Sequence, residues 1–108
     1  MDDVDVHEAA RAARSGEALL LDVREHEEWA HGRAPDAVHV PMGELRQDTL
    51  PRDRPVLALC RVGGRSAAVA SALEQLGYEV RNVTGGMLAW AAAGLPVVQD
   101  DDRPGTVV

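Results

Sequence analysis

The chain has 108 residues, of which 45 % are hydrophobic and only 3 % aromatic, and a formal charge of −7. That length supports one domain around one core, and the apolar content argues against disorder. The acidic balance argues against nucleic acid or an anionic membrane surface as a partner, and the absence of lysine excludes Schiff-base chemistry and a lysine general base.

Asp5, followed by Val6, His7 and Glu8, has the form of a capping box opening a helix that ends at Ser15 and Gly16. Residues 18–23 are a continuous apolar run of strand length, the pattern of a strand buried on both faces of a parallel sheet. Residues 24–32 read as a short acidic helix closed by Gly32. His26, Glu27 and His31 bear a superficial likeness to a zinc-protease helix. One helical face needs histidines four apart, and Ala30 stands at that position, so no metal site is expected. Asp22 and Arg24 at the strand end are either a structural ion pair or part of the mouth of a site. Residues 33–37 form a turn around Pro35 and Asp36. Residues 38–40 are a short strand stopped by Pro41, 42–50 a short helix ended by Pro51, and 52–55 a charged loop.

The next stretch organises the chain. Leu57, Ala58, Leu59 and Cys60 read as a buried strand ending in the only cysteine. Arg61, Val62, Gly63, Gly64, Arg65 and Ser66 form a tight loop into a helix over 67–76, with Gly77 as its stop. In α/β folds ligands bind beyond the carboxyl ends of the strands. Gly63 and Gly64 let successive amides curl into an anion-binding nest, and a helix N-terminus adds a partial positive charge. Arg61 and Arg65 add full charges if they turn inward. A thiolate is an anion, and an ordinary thiol with a pKa of about 8.5 is only a few per cent ionised at neutral pH. Lowering that value by about two units requires roughly 2.7 kcal/mol of preference for the thiolate. A helix terminus supplies about 0.3–1 kcal/mol, so the amides and arginines must supply most of the rest. The alternative is a small buried hydrophobe. A structural cysteine needs neither a Gly-Gly turn nor flanking arginines, so a reactive Cys60 is favoured.

Residues 79–83 alternate in polarity and read as a strand nearer an edge of the sheet. Thr84, Gly85 and Gly86 turn into a helix over 87–93 that stops at Gly94. Gly85 and Gly86 are assigned to tight backbone packing, and Trp90 to the core. From Gln99 the periodicity is lost. Residues 1–98 are therefore read as one domain and 99–108 as an acidic tail, mobile or loosely packed. Alternating strands and helices give an α/β fold with a mainly parallel sheet, whose loops at 22–24, 60–66 and 84–86 share one rim. One cysteine, no run long enough to span a membrane and no signal peptide together lead to the expectation of a reducing, cytoplasmic setting.

These residues carry a family resemblance. Leu21-Asp22-Val23-Arg24-Glu25, then Glu28-Trp29, Gly32 and residues 37–41, resemble the opening signature of the rhodanese-like domain. Cys60-Arg61-Val62-Gly63-Gly64-Arg65-Ser66 is similar to its active-site loop. Gly85-Gly86-Met87, Ala89-Trp90 and Ala93-Gly94-Leu95-Pro96-Val97 match its closing signature. The resemblance implies a rhodanese-like fold, a mainly parallel five-stranded sheet flanked by helices on both faces. It also implies a thiosulfate sulfurtransferase with Cys60 as the sulfur-accepting nucleophile and with no cofactor. The loop amides would cradle the bound anion, and Arg61 and Arg65 would hold the oxyanion part of thiosulfate. Arg33, Ala34 and Asp36 stand where His, Ile and Gly are common in the family. Asp tolerates unusual backbone angles, so the departure bears on local packing rather than on chemistry.

The expected partners are a small anionic sulfur donor and an external acceptor: a thiol, cyanide or a protein. No second cysteine exists to resolve a persulfide internally. Two rival readings share the same loop. A cysteine phosphatase or arsenate reductase would use a similar anion cradle. Four residues separate Cys60 from Arg65, where tyrosine phosphatases have five, so the cradle is small for a tetrahedral phosphate. A sulfur carrier or partner-binding module would use the same fold without small-molecule turnover.

Overall fold

The computed structural model describes residues 2–46 and 49–108. In chain order the elements are β1 (Asp3–Val4), α1 (Val6–Ser15), β2 (Leu19–Asp22), α2 (His26–His31), β3 (Val38–His39), β4 (Val56–Leu59), α3 (Gly64–Gln75), β5 (Val80–Val83) and α4 (Gly86–Ala92). The strands form one five-stranded sheet in the order β1-β5-β4-β2-β3, and every pairing is parallel. This is the α/β architecture that the alternation of strand and helix signals implied.

The two-residue period of a strand divides the core in two. Leu20 of β2 and Leu57 and Leu59 of β4 face one side, where α1 and α4 cover them with Ala9, Ala12, Met87 and Trp90. Leu19, Leu21, Val56 and Ala58 face the other side, where α3 covers them with Val69, Ala70 and Leu73. Cys60 continues the second register and lies on the α3 side. All four residues of β2 and of β4 are buried, as expected for central parallel strands with helices on both faces. Trp90 is a core residue whose indole donates to the Pro96 carbonyl at 2.9 Å.

Several sequence expectations need correction. The helix expected over 42–50 is only a 3₁₀ turn, Met42–Glu44. Its first amide still donates to the Val23 carbonyl, which ties the chain to the sheet, and Leu45 is already extended. Residues 47 and 48 of that expected helix lie outside the described residues. By contrast, β5 does lie nearer an edge than the central β4, as its alternating polarity suggested. The edge is β1, which pairs Asp3 with Asn82 and Val4 with Val83 and is too short to show any periodicity. Only half of the capping box at α1 forms. The Asp5 carboxylate accepts from the Glu8 amide at 2.8 Å, whereas the Glu8 side chain bonds Arg11 instead. A reciprocal box, unforeseen, opens α2 between Glu25 and Glu28.

The acidic tail is held at named points. Val98 bridges Arg33 and Pro104 in antiparallel fashion, the Gly105 amide donates to Val97 and the Thr106 amide to His31. Gly32 is required here by space: a Cβ on it would collide with the Thr106 backbone.

Leu20 has no exposed surface, so Leu20→Ala should cost about 2–5 kcal/mol in a urea titration. Val38→Ala, at an exposed position, should stay within about 0.5 kcal/mol of the parent in the same urea titration.

Candidate active site

Strand β4 ends at Leu59 and delivers Cys60 to the carboxyl rim of the sheet, with the residue only 1 % exposed. The loop turns at Gly63, whose φ of 113° is a conformation that L side chains avoid. Helix α3 starts three residues earlier than the sequence reading placed it, so Gly64, Arg65 and Ser66 form its first turn. The turn brings three donors onto Cys60 Sγ: the Gly63 amide at 3.1 Å, the Ser66 amide at 3.4 Å and the Ser66 hydroxyl at 3.2 Å. Burial pushes the Cys60 thiol up. Hydrogen bonds from the Ser66 hydroxyl and from the Ser66, Gly63 and Val62 amides outweigh it and set the thiol below its ordinary value.

The glycine turn before α4 locks the loop from the other side. The Met87 amide donates to the Cys60 carbonyl at 2.8 Å and the Leu88 amide to the Arg61 carbonyl at 3.0 Å. A Cβ on Gly86 would collide with both carbonyls, so the tight backbone packing expected of this turn is what the structure contains. Val62 is exposed at the tip of the loop.

The two arginines are placed differently. Arg65 makes a two-pronged ion pair with Glu28 of α2, at 2.7 and 2.8 Å, and its charge also interacts with Cys60. That pair holds the Glu28 carboxyl down to about 2, with burial opposing and the Glu25 amide assisting. Arg61 is turned toward the tail, where its Nε donates to the Val108 carbonyl at 2.9 Å.

For Asp22 and Arg24 the structure selects the ion pair. Both side chains have no exposed surface, and Arg24 Nη2 lies 2.8 Å from Asp22 Oδ2. Arg24 also donates to the Gly32 carbonyl at 2.8 Å and the Glu28 carbonyl at 3.4 Å, so it fastens the far end of α2 to the end of β2. Its own carbonyl accepts from His39, on which Trp29 stacks at 4.5 Å. Arg33 also lies over the Trp29 ring, 4.9 Å from its centroid, and pairs with Asp100 of the tail, while Ala34 is buried in the core. The family-atypical turn is thus accommodated by packing. His26 pairs with Glu44 and His31 with the Glu27 carbonyl. Among the described residues no cluster of ligating side chains could hold a metal.

The sequence reading missed Asn82. It lies on β5, 8 % exposed, bonded to both the Ser66 hydroxyl and the Gly63 carbonyl. The available signal was a polar residue at an inward position of a strand, where Val80 precedes it in the same register.

A family profile for the rhodanese-like domain matches residues 5–93. The chain is 43 % identical over 91 residues to a sulfurtransferase of Allochromatium vinosum, an alignment covering 82 % of this chain and 85 % of the relative. It is 42 % identical over 84 residues to the thiosulfate sulfurtransferase GlpE of Actinobacillus succinogenes, covering 74 % and 75 %. Its fold is similar to the crystal structure of a rhodanese-related protein from Thermoplasma volcanium, with a TM-score of 0.82 at 32 % identity, covering 91 % of this chain and 98 % of that one.

Two predictions follow from the ion pairs. Arg24→Met strands the buried Asp22 charge and should cost about 3–5 kcal/mol in denaturant unfolding. The double variant with Asp22→Asn should recover part of that loss. The Glu28 carboxyl titrates near 4.3 when unfolded and at about 2 when folded. Its contribution to stability is therefore complete above the unfolded value and lost as pH falls from there toward the folded one. Glu28→Gln should flatten the acid fall in melting temperature across that window. An unchanged acid limb would place the dependence on other carboxylates.

Proposed function

The chain belongs to the rhodanese-like domain family, and from that premise we propose that it moves sulfane sulfur from thiosulfate to an external acceptor through a persulfide on Cys60. The supporting observation is a buried sulfur with three hydrogen-bond donors aimed at it and a thiol set below its ordinary value. In the first half-reaction the Cys60 thiolate attacks the outer sulfur of thiosulfate. A bond forms from Sγ to that sulfur, the S–S bond of the donor breaks, and its electron pair leaves with sulfite. The backbone of Arg61, Val62, Gly63, Gly64, Arg65 and Ser66 cradles the anion, with fixed donors at the place where charge develops. Arg61 and Arg65 meet the oxyanion end of the donor after exchanging the Val108 carbonyl and Glu28 for it. Asp22 and Arg24 support the site at one remove by fixing α2, which carries Glu28.

In the second half-reaction cyanide or a thiolate attacks the outer sulfur of the persulfide. The S–S bond breaks and its electron pair returns to Sγ. With no second cysteine in the chain, the acceptor comes from outside, and ping-pong kinetics result. No helix among the described residues is long and apolar enough to cross a membrane. We place the reaction in a reducing, cytoplasmic setting, where the lone cysteine remains a thiol.

Mass spectrometry of the intact protein after brief exposure to thiosulfate provides the test. The parent should gain one sulfur atom and lose it to cyanide, and Cys60→Ser should gain none. Because the thiol is set low, loading should persist below the ordinary thiol range of about 8.5. Absence of any added sulfur from thiosulfate would overturn the assignment of donor. Equal loading of Cys60→Ser would overturn the persulfide site.

A further inference from the structure

We propose that Asn82 is a positioning residue for Cys60, acting through the Ser66 hydroxyl as the alternative acceptor of its single proton. The inference rests on the persulfide reading of the site, but its test reads the sulfur directly, without sulfur transfer.

Asn82 sits in the middle of β5, opposite Asp3 of β1 and Ala58 of β4. Its Nδ2 donates to the Gly63 carbonyl at 3.1 Å, which fixes the orientation of the amide. Oδ1 therefore faces Ser66 Oγ, at 2.6 Å. Ser66 has no exposed surface, and its hydroxyl has three acceptors in reach: Asn82 Oδ1 at 2.6 Å, Cys60 Sγ at 3.2 Å and the Gly63 carbonyl at 3.3 Å. A hydroxyl donates only once. A protonated or sulfur-bearing Sγ is a weak acceptor, and the proton then goes to Asn82, the closest of the three. A thiolate attracts it more strongly, because a hydrogen bond to an ionised acceptor is about twice as strong as a neutral one. The hydroxyl then turns to Sγ and leaves Oδ1 without its donor.

Asn82 thus stabilises the states in which Sγ is neutral, the thiol and the persulfide, and withdraws that support when Sγ is charged. In persulfide discharge the electron pair of the breaking S–S bond arrives on Sγ, and the Ser66 proton swings from Asn82 to meet it. Apart from the carboxylate that Asn82→Asp introduces, the charged groups around this network stay the same in every variant below. Arg65 of α3 interacts with Cys60 and is paired to Glu28, with Glu25 beyond. Arg61 is bonded to Val108, and Asp22 and Arg24 neutralise each other.

The experiment is the pH profile of Cys60 alkylation by iodoacetamide, with melting temperature in parallel. It compares the parent, Asn82→Ala, Asn82→Asp, Ser66→Ala and the two double variants. Asn82→Ala should lower the Cys60 titration by about half a unit or more, since the thiolate no longer competes with Oδ1 for the proton. Asn82→Asp, nearly the same size, should raise it. Both shifts should fall to less than half in the Ser66→Ala background. A merely structural role predicts that a loosened loop raises the titration in Asn82→Ala, and that result would overturn the proposal. So would an Asn82→Asp shift that survives intact without the Ser66 hydroxyl, since the added charge would then act on Cys60 directly. A protein that took no sulfur from thiosulfate yet gave this cycle would refute the donor assignment and leave the role of Asn82 standing.

Discussion

A guanidinium with no exposed surface cannot shed its charge by deprotonation, so the chain around Arg24 has to satisfy it. Asp22 supplies the counter-charge, and the carbonyls of Glu28 and Gly32 take further donors. Those two carbonyls lie at the middle and the end of α2, so satisfying Arg24 also fixes where α2 lies. The rest of the site is positioned through α2. Glu28 reaches across to Arg65, and Arg65 belongs to the first turn of α3. The same turn aims the Ser66 amide and hydroxyl at Cys60. A buried pair of this kind contributes little net stability compared with a well-packed apolar one. Here it is better understood as fixing the geometry of α2, a helix with no buried residue of its own, against the end of β2.

Cys60 is clamped from two directions. Its sulfur faces the opening turn of α3, and its carbonyl accepts from the opening turn of α4. The first contact stabilises charge on the sulfur, and the second holds the backbone against which that charge is positioned. Gly63 and Gly86 serve these two contacts for different reasons. Gly63 supplies a positive φ for the turn, whereas Gly86 leaves room for two carbonyls that any Cβ would displace.

The features legible in the sequence were those with local causes. The apolar runs of β2 and β4 and the turn at Gly63 were legible because burial on two faces and a left-handed backbone restrict residue type directly. The features that escaped depend on distant partners. Strand β1 has two residues and exists because β5 offers an unpaired edge. The turn at Met42 is tied by its first amide to the Val23 carbonyl just past β2 and gives way to extended backbone at Leu45, and no local pattern shows either. Gly32 does stop α2, as it looked from the sequence, but its backbone there is extended and its small size answers to Thr106, far along the chain. Whether Arg61 turns inward is left open by the sequence, since its partner Val108 lies at the end of the chain. Asn82 stood in plain view as a polar residue on a buried strand, yet its relevance appears only once Ser66 is folded onto it.

The acidic surface sets a further constraint on how the site handles anions. A net charge of −7 opposes the approach of any anion to the molecule as a whole. Both arginines at the rim are already engaged, one by a carboxylate and one by a carbonyl. The donors aimed at Cys60 Sγ are instead the amides of Gly63 and Ser66, fixed by the start of a helix, and the Ser66 hydroxyl, which can turn toward it. The two fixed amides need no rearrangement when charge appears in front of them, and away from water they are screened less than they would be at the surface. Mobile cations, by contrast, would first have to leave their present partners. The lowered thiol of Cys60 therefore owes more to hydrogen bonds from Ser66 and the loop amides than to positive charge, which is how it coexists with an acidic chain.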